Sequence, residues 1–349
     1  MIHKKTKVLV VDDSLLFRST LSKKLEADPN LQVVGTASDA MDAMAKINSL
    51  NPDVLTLDVE MPRMSGIEFL KKLIPQRPIP VVVVSSAPIT ALEALEAGAV
   101  DFVKKPVVNS PSDLDMFVRD LINKIKIASV AKVGVRRASA SASAAAKSVL
   151  KPKLTSTVDN IVIAIGASTG GTEAILDVVR DLPANTPGIV IVQHMPPVFT
   201  RMYAQRLDKI CKMHVKEAED GDRVERGKII IGAGEFHLRL AKDSMGYYVT
   251  SRRGERVSGH CPSVDVLFES VATTAKGKAM GVILTGMGAD GAKGLLQMRK
   301  AGAYTVGQDK ESCVVYGMPM VAFNIGGVVK QLPLNQIGDE IIRHLNSIK

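Results

Sequence analysis

The chain has 349 residues, 46% of them hydrophobic and 4% aromatic, with no tryptophan and a formal net charge of +9. That length suits two ordinary domains, each able to bury a core. The scarcity of aromatic rings argues against stacking on single-stranded nucleic acid, and no apolar run approaches the roughly 20 residues that span a bilayer.

The first half alternates strand and helix signals. Residues 7–13, KVLVVDD, form a first strand. Its apolar run is too short for a signal peptide. Residues 14–28 have helical spacing with Ser14 as N-cap. LQVVGTAS, DVLTLDVE, IPVVVVSSA and DFVKKP supply four more strands. Helical stretches separate them at 39–50, 65–74 and 89–98, and a last one runs from 112 to 126. Five apolar strands with intervening helices predict a parallel sheet covered on both faces.

Residues 128–158 change character. They are rich in Ala, Ser, Lys and Arg and hold six basic residues and no acidic one. Residues 1–127 carry 16 of each sign, and residues 159–349 carry 23 basic and 20 acidic. Six of the nine excess charges therefore lie in this segment. It reads as a flexible linker, and neither flank reads as a DNA-binding module.

The second half is again α/β. IVIAIGA, GIVIVQH, KIIIGAG and MGVILTGM are short apolar strands, while HLRL and GYYVTSR predict an inserted hairpin. Helical patterns cover 172–182, 199–210, 263–275, 291–302 and 334–348. The expected fold class is α/β with two doubly wound parallel sheets, flavodoxin-like and then Rossmann-like, joined by the linker. Ligand sites in such sheets lie at the carboxyl ends of strands. Cys211, Cys261 and Cys313 are odd in number and lack metal-ligand spacing, which fits a reduced cytoplasm.

In the first half, Asp12, Asp13 and Asp58 stand at strand ends, followed by Ser85 and Lys105 at two more. One aspartate after a strand is commonly a turn residue. The ordered set is different, because gathered carboxylates repel unless a hard cation joins them, and Mg²⁺ suits oxygen ligands. A cation, a lysine and a hydroxyl around one carboxylate would stabilise a phosphoryl group passing onto it.

In the second half, Ser168 lies in the glycine turn GASTGG, where a serine is ordinarily a helix cap. The next strand delivers His194, and MPP stops it. A later strand leads to GADG and Asp290. Together these are a nucleophile, a base and an orienting carboxylate. The glycines of TGMGADG would let backbone N–H groups reach an oxyanion. Residues 166–170 fit G-x-S-x-G, but the order Ser, His, Asp is not that of α/β-hydrolases. GASTGG lacks the G-x-G-x-x-G spacing of dinucleotide sites, and no GK[ST] follows for a P-loop. Ser263 and Asp265 could line a groove, although a helix cap is the better reading of them. A binding protein with a vestigial triad remains an alternative, as does a transcription regulator, for which no recognition helix follows the linker.

VLVVDDS, LDVEMPRMSG, VVVVSS and FVKKP make residues 5–126 resemble a response-regulator receiver domain. The resemblance implies phosphorylation of Asp58 by a histidine kinase. It also implies Mg²⁺ on Asp12, Asp13, Asp58 and the Glu60 carbonyl, with Lys105 and Ser85 following the phosphate. Phe102 stands where many receivers carry a switch aromatic.

AIGASTGG, VIVQHMPP, CPSVDVLF, VILTGMGADGAKGL and CVVYGMP make residues 159–347 resemble the methylesterase domain of the CheB family. That resemblance implies Ser168, His194 and Asp290 as the triad, Met287 at the oxyanion and Thr169 beside the nucleophile. It implies a cytoplasmic monomer of receiver, linker (127–158) and esterase. Such an enzyme would hydrolyse glutamyl methyl esters on chemoreceptor helices and deamidate receptor glutamines, needing no cofactor for the ester chemistry and no nucleic acid or membrane insertion. The arrangement further suggests that the unphosphorylated receiver blocks access to Ser168.

Overall fold

The computed structural model describes residues 4–106, 111–134, 153–155 and 160–348. The chain divides into two compact units, residues 1–134 and 135–349. Most of the expected linker lies outside the described residues.

The first unit runs β1 (Thr6–Val11), α1 (Leu15–Glu26), β2 (Leu31–Ala37), α2 (Ala40–Leu50), β3 (Val54–Asp58), α3 (Gly66–Gln76), β4 (Val81–Ser85), α4 (Pro88–Glu96), β5 (Asp101–Lys104) and α5 (Pro111–Ala128). Every expected strand and helix of this half is present. Its five strands pair in the order β2-β1-β3-β4-β5, all parallel. Val8 to Val11 and Val81 to Val84 are buried, as strands covered on both faces must be. Ser14 caps α1 by accepting the Phe17 N–H, as its position predicts. Chain order reverses between β1 and β3. The crevice outside their carboxyl ends is therefore where a ligand site belongs, and Asp12 and Asp58 stand there.

The second unit runs β6 (Val162–Ala167), α6 (Gly171–Val179), β7 (Ile189–Gln193), α7 (Phe199–Ile210), β8 (His214–Glu217), β9 (Lys228–Ile231), β10 (His237–Asp243), β11 (Gly246–Arg252), α8 (Val264–Thr274), β12 (Ala279–Ile283), α9 (Ala292–Lys300), β13 (Tyr304–Gln308), α10 (Met318–Asn324), β14 (Lys330–Leu332) and α11 (Leu334–Ser347). Seven strands form a parallel sheet in the order β14-β13-β12-β6-β7-β9-β8. The expected hairpin is the antiparallel pair β10–β11.

Strands β8, β13 and β14 and helix α10 lie beyond the sequence expectation. HVKE and KQL are short and polar because they are the two edges of the sheet, where one side faces no further strand. The core lies under the central strands. Val162, Val190, Val192, Val264, Phe268, Leu295 and Met298 pack there with near-zero exposure. Full burial of each such side chain contributes about 1.5–3 kcal/mol. The sheet order reverses at β6, whose neighbours are β7 and β12. The three strands that carry Ser168, His194 and Asp290 at their carboxyl ends are thus adjacent. Among the described residues, no helix is long and apolar enough to cross a membrane.

Candidate active site

In the first unit, Asp12, Asp13 and Asp58 bring one carboxylate oxygen each within 4.8 Å of one another. Asp12 and Asp58 are buried and Asp13 is exposed. Lys105 Nζ donates to Asp12 at 2.8 Å and to Asp58 at 2.5 Å. The Glu60 N–H donates to Asp58 at 3.0 Å. Burial pushes the Asp58 carboxyl up to about 6, with the Asp12 charge adding to it and Lys105 and the Glu60 N–H opposing. Burial also opposes the Lys105 charge, but the bonds to Asp12 and Asp58 outweigh it and raise the ammonium above its usual range. One lysine among three carboxylates leaves excess negative charge. An all-oxygen donor set of this kind fits Mg²⁺.

Ser85 is fully buried, and its hydroxyl contacts the Ala87 carbonyl at 3.1 Å and the Thr90 hydroxyl at 2.6 Å. The β4–α4 connection therefore holds it in this state. Phe102 is buried with Lys124 Nζ 5.1 Å from its ring centroid. Lys105 in turn stands 4.6 Å from the Phe17 ring centroid.

In the second unit, backbone pairing builds the site before any side chain contributes. The register sets Ala167 against Gln193 and Gly166 against Ile283. The Ser168 N–H then reaches the Thr285 carbonyl at 3.0 Å, and the His194 N–H reaches Ala167 O at 3.3 Å. Ser168 does not cap α6. The N-cap is Gly170, at φ +77°, a left-handed conformation that glycine adopts freely. The Ser168 side chain is thus spared for another partner. Its Oγ lies 3.2 Å from His194 Nδ1, and His194 Nε2 lies 2.8 Å from Asp290 Oδ2. With Nε2–H donating to the carboxylate, Nδ1 is the unprotonated nitrogen that faces the hydroxyl.

Asp290 is 3% exposed and accepts four hydrogen bonds. They come from His194 Nε2, Ser263 Oγ at 2.7 Å, Val264 N–H at 2.7 Å and Asp265 N–H at 3.0 Å. The last three lie at the start of α8, where the helix dipole also favours a negative charge. Burial works against that charge, but the His194 contact and these donors outweigh it and hold the carboxyl down at about 2. Ser263 also caps α8 by accepting the Val266 N–H. Ser263 is fully buried, so it caps the helix and anchors Asp290 and does not line a groove. Asp265 is buried, which pushes its carboxyl up, and it accepts the Gly294 N–H at 2.8 Å.

Met287 is 46% exposed on the loop after β12, and its N–H donates to no partner among the described residues. The neighbouring Gly286 N–H is taken by the Val315 carbonyl. Gly286 itself packs on Ser168, and an added Cβ there would sit 2.8 Å from Ser168 Cβ. Thr169 is buried, and its carbonyl accepts from the Thr285 hydroxyl at 3.0 Å.

Three contributors went unseen in the sequence. Gln193 Nε2 donates to Ser168 O at 3.0 Å and His194 O at 3.3 Å, tying the Ser168 turn to His194. Gln308 Oε1, at the end of the unexpected strand β13, accepts the Thr285 N–H at 2.8 Å. His260 stacks on His194 with ring centroids 3.7 Å apart and planes 9° apart. None of the three cysteines supplies a side chain to the contacts just described. All three are free, Cys313 is buried, and burial raises the Cys261 thiol and pushes Cys211 up to about 11.

A parallel sheet with an acid–lysine pocket, joined to a second sheet with a Ser–His–Asp row, defines a response regulator carrying a hydrolase-type domain. A family model described as CheB methylesterase matches residues 163–341, and one described as response regulator receiver domain matches residues 8–117. The chain is 55% identical over 346 residues, 99% of each chain, to "Protein-glutamate methylesterase/protein-glutamine glutaminase 2" of Syntrophomonas wolfei subsp. wolfei. It is 49% identical to the like-named protein of Syntrophotalea carbinolica, covering 97% of each. The crystal structure of the Thermotoga maritima CheB methylesterase catalytic domain matches at a TM-score of 0.52 and 38% identity, over 54% of this chain and 100% of that one. The chain belongs to the CheB methylesterase family.

Proposed function

We infer that this chain is a protein-glutamate methylesterase and protein-glutamine glutaminase whose activity is set by phosphorylation of its receiver. The observation that carries the reading is the row from Ser168 Oγ through His194 to Asp290, with contacts of 3.2 and 2.8 Å. Ser168 Oγ attacks the side-chain carbonyl of a methylated glutamate while His194 Nδ1 takes its proton. The tetrahedral oxyanion is held by the Met287 N–H, beside Thr169. Donors of that kind contribute roughly 3–4 kcal/mol each. Collapse expels methanol, protonated by His194, and leaves a glutamyl-serine ester. Water, deprotonated by the same imidazole, then releases glutamate. With a glutamine substrate ammonia leaves instead. Asp290 holds the imidazole tautomer and stabilises the imidazolium. The substrates are chemoreceptor signalling helices in the cytoplasm. Methanol release from methylated receptor membranes tests the reading, and a chain that binds receptors yet releases none overturns it.

The receiver spans 5–126, the linker 127–158 and the esterase 159–347. Asp58 accepts the phosphoryl group from a histidine kinase. Asp12, Asp13, Asp58 and the Glu60 carbonyl would hold Mg²⁺, which screens the charge gathered during transfer. Lys105 then pairs with the phosphate, and Ser85 gives up its Thr90 contact to follow it. Asp58→Asn removes stimulation by a small phosphodonor, and chelation of Mg²⁺ does the same while leaving the unstimulated esterase rate within about twofold, since no ester step uses the metal. Rates measured with and without donor and chelator check both. Stimulation surviving in Asp58→Asn would place the phosphate elsewhere.

The unphosphorylated receiver holds the esterase rate down. Deleting residues 1–150 should raise the unstimulated rate at least about tenfold, which needs only ~1.4 kcal/mol of differential stability. An unchanged or lower rate in the truncated chain counts against that restraint.

A further inference from the structure

The segment from Val257 to Asp265 braces the His194–Asp290 pair from two sides. Ser263, Val264 and Asp265 supply three of the four donors to Asp290. The same segment presents the His260 ring flat against His194. His260 is set in place by a two-residue turn, in which Val257 and His260 exchange both backbone hydrogen bonds at 3.0 Å. The central residues, Ser258 at φ +53° and Gly259 at φ +84°, are both left-handed, as the tight primed hairpin turn requires. Arg256 Nη1 donates to the Gly259 carbonyl at 3.4 Å, and Ser258 Oγ donates to Asp265 at 3.5 Å. The turn is thereby tied to the start of α8.

The His194 ring, bonded at Cγ to its own chain and held at Nε2 by Asp290, can still rock about the line joining those two atoms. Rocking would swing Nδ1 away from the Ser168 proton without breaking the Asp290 contact. A flat neighbour against one face blocks that motion. Stacked rings also attract, and the π-face of the neighbour favours the positive charge that the base carries mid-reaction.

We propose that His260 is a positioning residue for the esterase reaction, its ring lying flat on His194 to fix the plane in which that imidazole meets Ser168 and Asp290. The proposal rests on the triad reading above. The role needs an aromatic face and no proton transfer at His260.

The test compares His260→Ala and His260→Phe in the full-length chain, with methanol release resolved into kcat and KM and with thermal unfolding followed in parallel. His260→Ala should lower kcat by about tenfold to a hundredfold, the scale on which misplaced catalytic groups act, with KM within about twofold. His260→Phe keeps the ring and should restore kcat to within about threefold of the parent. An unchanged kcat in His260→Ala overturns the proposal, and so does a fall in KM-limited binding alone. A His260→Phe chain that folds normally yet is as slow as His260→Ala overturns it too, because the ring's chemistry and not its face would then be needed. His260→Phe fills the same space, so a poorly folded alanine variant leaves this comparison decisive. Full activity in Ser168→Ala would sink the triad reading itself, an outcome that no His260 variant produces.

Discussion

Ser168→Ala should abolish methanol release, with turnover falling by about 10⁶-fold, the loss typical of removing a triad nucleophile. The alanine keeps the Cβ that packs on Gly286 and removes only Oγ, whose described contact is His194 Nδ1 at 3.2 Å. Ser168 is half-buried, so losing one hydroxyl bond costs about 1 kcal/mol or less of stability. Receptor binding, Asp58 phosphorylation and thermal unfolding should stay near the parent values. Residual hydrolysis above the uncatalysed rate would come from the oxyanion donors and substrate positioning alone. Methanol release measured over hours at high enzyme concentration reads both the loss and the residue. Activity within tenfold of the parent would mean that another group attacks the ester.

The second large effect belongs to Asp290→Asn. Both carboxylate oxygens are acceptors for four donors, and an amide replaces one oxygen with a donating NH₂. Two orientations are open to it. If the NH₂ faces Ser263 Oγ and the Asp265 N–H, two buried donors oppose it, costing about 1–3 kcal/mol for each group left unsatisfied. If the NH₂ faces His194 Nε2, that nitrogen becomes an acceptor and the proton moves to Nδ1. The imidazole then presents N–H to Ser168 and cannot take its proton. A fall of about 10⁴-fold in kcat is expected, with KM little changed. The carboxyl sits at about 2 in the parent, so the parent triad keeps its orienting charge throughout the ordinary pH range. Methanol release across pH 5–9 checks the variant. A kcat within tenfold of the parent would show that tautomer control lies elsewhere, with Gln193 the first residue to try.

Much of this site could be read from residue order. Ser168, His194 and Asp290 each follow a run of buried aliphatic residues, and parallel strands deliver their carboxyl ends to one edge. The same logic found Asp12, Asp58 and Lys105 in the receiver. Its limits follow from what sequence spacing omits. Ser168 reads as a helix cap until the backbone shows Gly170 in that place. Ser263 reads as a cap and is one, yet its hydroxyl also anchors Asp290, a residue 27 positions away. Gln193 looks like the polar end of a strand, and only the β6–β7 register turns it toward Ser168. His260 stands alone between glycine and cysteine, with no periodicity to mark it. Strands β8 and β14 carry too few apolar residues to signal themselves because they are sheet edges.

The sequence by itself determined the two α/β halves, the basic segment between them, and the candidate residues at the strand ends of each half. These follow from local hydrophobic period and from chemistry stranded at strand ends. Tertiary structure alone decided which nitrogen of His194 faces Ser168, which donors hold Asp290 charged, and which ring lies against the base. Those contacts join residues 25 to 96 positions apart, and they depend on strand register and helix docking, which no local pattern encodes.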